Sequence, residues 1–144
     1  MALESTVLSP GIIAKLKEFK RPFMDQFDSV ERALIKCTSD YPIALCALYG
    51  SMLKGLSRHS DIDILVLLRD NYKSYGDILD IKIALEDCIA AAAINSIPVD
   101  LKVSSVSSFL DMSRGTEFKR SVSANNEVFW EDGVSIGREH FRGI

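Results

Sequence analysis

Two stretches of this chain are apolar runs of strand length, the first of them apolar on both parities of a β-strand. Ile43 to Tyr49 reads Ile-Ala-Leu-Cys-Ala-Leu-Tyr, and Asp61 to Leu68 is a second run rich in Ile, Leu and Val. Successive strand side chains leave opposite faces of a sheet, so a strand with no polar parity has to be covered on both sides. The expected class is α/β, and with 144 residues the chain has the length of a single domain with one core.

The segments around the strands carry helical spacing. Ser9-Pro10 is an N-cap followed by proline at the first helical position, and Ile12, Ile13, Leu16 and Phe19 recur with helical period. Pro22 interrupts, after which Phe23, Phe27, Val30, Leu34 and Cys37 form one stripe of a second helix or of a kinked continuation. Ile78, Ile81, Leu85, Cys88 and Ala92 give the clearest stripe, stopped by Asn95-Ser96 and Pro98. Val99 to Val103 is a third strand, Ser107 to Ser121 is helical, Asn125-Asn126 is a turn, and Val128-Phe129-Trp130 is a final strand or a packed tail. The expected layout is one domain over 1–144, with N-terminal helices over about 9–38, a core over about 43–104, and a C-terminal helix and tail over about 107–144.

Composition excludes several classes. Apolar residues at 47% and charged residues at 26% fit a globular chain, and no apolar run is long enough to cross a bilayer. Met1 to Pro10 lacks a basic cluster ahead of an apolar stretch, so a cytoplasmic address is the expectation. A net charge of −3 argues against direct nucleic-acid binding, which needs a surplus of Lys and Arg. Cys37, Cys46 and Cys88 stand far apart in sequence and suggest reduced, mostly buried thiols.

The chemistry concentrates in a few carboxylates. Asp61 and Asp63 are separated by one residue, so a strand projects both from one face and Ile62 and Ile64 from the other. With reference values near about 3.9 both are ionised at neutral pH, and their repulsion calls for a cation. Magnesium suits such a pair, because it takes oxygen ligands from one or two carboxylates together with substrate phosphates. Asp100 is a third carboxylate in an apolar strand; with Leu101 and Val103 toward the core, Asp100 and Lys102 share the other face. There Asp100 can complete a second metal site and accept a proton. Gly50-Ser51 ends the first strand at a sharp turn, where a glycine and a hydroxyl beside exposed amides can hold phosphate. Taken one by one these residues have plainer readings: edge charges for Asp61 and Asp63, a strand end for Asp100, a turn glycine and an N-cap for Gly50 and Ser51. Lys54, Arg58 and Lys102 are further candidates for phosphate contact.

Gly50-Ser51, nine intervening residues and Asp61-Ile62-Asp63 together resemble the signature of the polymerase-beta nucleotidyltransferase superfamily, in particular its minimal branch. Gly55, Ser60 and Asp100 fall where that branch has a glycine, a serine and its third carboxylate; Lys54 departs from its usual arginine, and His59 from an acidic or small residue. The resemblance implies a small mixed β-sheet flanked by helices, two Mg2+ ions held by Asp61, Asp63 and Asp100, and ATP or another nucleoside triphosphate gripped by Gly50, Ser51 and Ser60. It implies a hydroxyl acceptor and pyrophosphate release. The short branch pairs with HEPN-type toxin ribonucleases, which it neutralises by adding AMP to a tyrosine or by binding. The expectation is therefore an antitoxin enzyme acting on a HEPN-like partner. A non-catalytic binding module of the same fold and a small-molecule adenylyltransferase of the aminoglycoside type are the alternatives.

Overall fold

The computed structural model describes residues 10–50, 61–70, 75–112, 115–136 and 141. Its elements in chain order are α1 (Pro10–Cys37), β1 (Ile43–Tyr49), β2 (Ile62–Leu68), α2 (Tyr75–Ala92), β3 (Val99–Ser105), α3 (Val106–Asp111), α4 (Glu117–Ala124) and β4 (Asn126–Glu131). The strands form one four-stranded sheet in the order β3-β2-β1-β4. β1 runs antiparallel to β2 and β4, while β2 and β3 are parallel and joined through α2. This is the mixed α/β sheet expected from the sequence.

Both faces of the sheet are covered, as the double-parity run of β1 requires. Ile62, Ile64, Val66, Leu68, Leu48 and Leu101 pack beneath α1 and α2 against Val30, Leu34, Ile81 and Leu85. On the opposite face Leu65, Leu67, Ala47 and Tyr49 pack with Val106 and Phe109 of α3, Val122 of α4, and Phe141. Near the start of β1 the pairing with β2 slips between Ile43 and Leu45. Ala44 and Leu45 consequently both serve the second core, and Cys46 returns to the first.

α1 is one helix that runs through Pro22, the continuation that the sequence reading offered beside a separate second helix. The proline removes one backbone donor, and the loss is offset by burial of the stripe from Phe23 to Cys37 on the sheet. Pro22 also offers its carbonyl to Asn95 Nδ2 at 2.8 Å. Gln26 ties α1 to the segment entering β3. It is 1% exposed; its Oε1 accepts from the amides of Ile94 and Asn95 at 2.8 and 3.0 Å, and its Nε2 donates to the carbonyls of Asn95 and Ile97 at 3.1 and 3.0 Å. Ser29 adds a bond to the Ala92 carbonyl at 2.6 Å.

The predicted helix from Ser107 to Ser121 divides into α3 and α4, because Ser105 and Thr116 each cap a separate start by accepting from the amides of Ser108 and Lys119. Lys119 is 2% exposed, lies 4.8 Å from the centre of the Phe109 ring, and donates to the carbonyls of Phe109, Leu110 and Met112 at the end of α3. A cation there satisfies the orphan carbonyls and the negative helix end together. Val128 to Trp130 belong to a strand, and Asn126 opens it rather than forming a turn.

Candidate functional site

The strand registers set four side chains in a row across one end of the sheet. Asp100 of β3 pairs with Asp63 of β2, Asp63 with Tyr49 of β1, and Tyr49 with Asn126 of β4. Alternation places all four on the α3 and α4 side, since Ile62, Ile64 and Leu101 occupy the α1 and α2 core while Leu65, Tyr49 and Val128 occupy the other. Parallel pairing thus brings Asp63 and Asp100 side by side, although 36 residues separate them in sequence. Asp61 lies just ahead of β2, on the parity of Asp63, and is half-buried.

Gly50 closes this end of β1 with φ of +80°. A Cβ there would run into the Asp63 carboxylate, with Asp63 Cγ only 3.1 Å away. The backbone therefore approaches the carboxylate more closely than any other residue allows. Tyr49 is 4% exposed and meets Phe118 edge-on, with ring centres 5.7 Å apart. Burial, then the charges of Asp63 and Asp100, push its phenol above its ordinary range. The ring stays neutral and adds no negative charge to the two carboxylates.

Lys102 Nζ lies 3.5 Å from Asp100 Oδ1, with side chains 47% and 45% exposed. The contact is loose and solvated, so the lysine can turn toward another anion. At the far end of the row Asn126 Nδ2 donates to the Val122 carbonyl at 2.9 Å, while its Oδ1 is buried and lacks a hydrogen-bond partner among the described residues.

A divalent cation is the group these carboxylates imply. The donor set fits it, because Asp63 and Asp100 present hard oxygen ligands side by side on one face with Asp61 on the same parity. Among the described residues, no three His, Cys, Asp or Glu side chains gather into a cluster that could hold a metal ion. The strand register juxtaposes Asp63 and Asp100. Ser51 and Ser60 lie outside the described residues, as do Lys54, Gly55, Arg58, His59 and the helical turn expected at 52–60. Tyr49 and Asn126 were not singled out from sequence; one reads as the end of an apolar strand and the other as a turn, and only the register places Tyr49 beside Asp63 and Asn126 beside Tyr49.

The thiols differ from the sequence reading in one respect. Cys37 and Cys88 lie in the same core, because α1 and α2 pack together on the sheet. All three cysteines are free.

The sequence matches the family described as "Polymerase beta, Nucleotidyltransferase" over residues 32–131. That span runs from the last turns of α1 to the end of β4 and holds Gly50, Asp61, Asp63 and Asp100. No curated protein matches the chain. Among solved structures it is similar to a protein from Sulfolobus solfataricus assigned provisionally as a nucleotidyltransferase, at 16% identity and a TM-score of 0.48, over 81% of this chain and 93% of the other.

Proposed function

Because the chain belongs to the polymerase beta nucleotidyltransferase family, we propose that it moves AMP from ATP onto a hydroxyl of a partner protein, the partner being a HEPN-like toxin that it neutralises. The observation that carries the reading is the register pairing of Asp63 with Asp100, with Gly50 against the first of them.

In this reading residues 1–144 act as a single nucleotidyltransferase domain, and Asp61, Asp63 and Asp100 hold two magnesium ions. Those ions, when bound, supply neutralisation of the charge on the triphosphate oxygens. Asp100 takes the proton of the attacking hydroxyl, whose oxygen bonds to the α-phosphorus as the bond to the bridging oxygen breaks and pyrophosphate leaves. Gly50 lets the backbone lie against the Asp63 carboxylate at the turn that grips the triphosphate, Ser51 and Ser60 donate hydrogen bonds to it, and Lys102 swings from Asp100 to the phosphates. Catalysis of this kind rests on positioning and charge rather than on covalent help. The acceptor reading draws on the exposure of Asp100, 45% at its side chain, which leaves the proton acceptor within reach of a side chain on another protein. The toxin draws on the Gly50-Ser51 to Asp61-Ile62-Asp63 spacing of the minimal branch.

The test is incubation of the chain with ATP labelled at the α-phosphate, magnesium and a cell lysate. A labelled protein band is expected, lost with EDTA and reduced at least about 100-fold in Asp63→Asn and Asp100→Asn. A labelled small molecule would move the acceptor to the aminoglycoside type. If no label transfers while the Asp63→Asn chain still neutralises a toxin, the protein is a binding module and the enzymatic reading fails.

A further inference from the structure

The outer face of α2 carries an apolar stripe that stays exposed. Leu79 and Ile83 are 41% and 49% exposed, Ala90 continues their line along the helix, and Ile94 just beyond its end is 61% exposed. Residues at these spacings share one helical face. Beside the stripe opens a cavity of about 290 Å3 lined by Glu86, Ile89, Ala90, Ala93 and Ile97, with the Gln26 latch at its wall. Exposed carboxylates border both: Asp80, Glu86 and Asp87. Of the basic residues, α2 contains only Lys82.

A grooved apolar stripe whose rim carries three exposed carboxylates against the single Lys82 selects its occupant. A second copy docked through this face would set Asp80, Glu86 and Asp87 against the same carboxylates, in a chain of net charge −3. An amphipathic helix with Lys or Arg beside its apolar stripe meets the opposite field, seats its apolar residues along Leu79 and Ile83, and inserts one side chain into the cavity under Glu86. We infer that this face of α2 docks a basic amphipathic helix of a partner protein. The surface lies on the α1 and α2 side of the sheet, whereas Asp63 and Asp100 face the other side, so docking leaves the carboxylate row open. The inference does not depend on the reaction proposed above.

The probe is a synthetic amphipathic helix of about 20 residues with a leucine stripe flanked by lysines, titrated by fluorescence anisotropy into the full chain. Saturable binding is expected, weakened at least about tenfold in Ile83→Ser and in Glu86→Gln. Both positions are exposed, so the variants should melt with the parent by circular dichroism. A control peptide with glutamates in place of lysines should not bind. The inference is overturned if the lysine peptide fails to bind, if both variants bind it as the parent does, or if sedimentation shows the chain dimerising and Ile83→Ser abolishes the dimer.

Discussion

At Gly50 two independent constraints fall on one atom that is not there. A φ of +80° already disfavours an L side chain, and the Asp63 carboxylate occupies the space a Cβ would need. Gly50→Ala should therefore lower stability by about 2 kcal/mol, measured by urea unfolding, and displace Asp63. Nucleotidyl transfer should fall more than stability does; a variant retaining both would show that Asp63 moves aside at little cost. The thiols carry a second residue-level expectation. Burial, with Cys88 nearby, pushes Cys37 up to about 12, and burial with Cys37 nearby pushes Cys46 up to about 12. Both stay protonated at pH 8, so iodoacetamide should label them slowly in the folded chain and rapidly after urea is added. Equal rates in the two states would contradict this packing.

Among the elements, β3 owes its placement to a side chain on another element. Gln26 satisfies two amides and two carbonyls of the segment from Ile94 to Ile97, which fixes where β3 begins and so where Asp100 arrives. Gln26→Leu keeps the bulk and strands those groups, so a loss of about 3 kcal/mol is expected in chemical denaturation, with transfer activity falling as Asp100 loses its register. An unchanged midpoint would mean that water replaces the amide. The strands themselves were legible, because apolar runs bounded by Gly, Asn and Pro leave few alternatives: the expected 43–49 coincides with Ile43–Tyr49, while 61–68 and 99–103 differ by one and two residues from Ile62–Leu68 and Val99–Ser105. The Asp63 and Asp100 pairing was readable for the same reason, once the two strands were taken as neighbours. Gln26 was not, since one polar residue inside a helical stripe does not disclose its partners nearly 70 residues away. Asn126 was hidden by its type, which favours turns, and Pro22 left one helix or two open because local propensity ignores the burial that holds α1 together.

Over the whole molecule, the end of the sheet away from the carboxylates is fastened by one side chain. Asp132 accepts from the Ser135 hydroxyl at 2.6 Å, from the amides of Val134 and Ser135 at 3.0 and 2.9 Å, and from Arg69 at 3.2 Å. Burial alone would raise its carboxyl, but these bonds outweigh it and hold it below the ordinary value of 3.8. A carboxyl lowered on folding stabilises the native state above its unfolded value, and that contribution disappears as pH falls through the folded one. The melting temperature should therefore drop on acidification below about pH 4, and Asp132→Asn should be less stable at neutral pH with a shallower acid decline. A parallel decline in the two proteins would remove Asp132 from the account. The slip in pairing at the start of β1 has its own consequence for how such chains can vary. By spending one extra residue at Ala44, the strand sets the phase in which Tyr49 emerges on the carboxylate side. Deleting a single residue between Leu45 and Tyr49 would turn the tyrosine toward α1 and α2, whereas the same deletion between Thr38 and Pro42 only shortens a connection. Length changes are thus tolerated upstream of the slip and forbidden downstream of it, as on a ratchet that advances in steps of two.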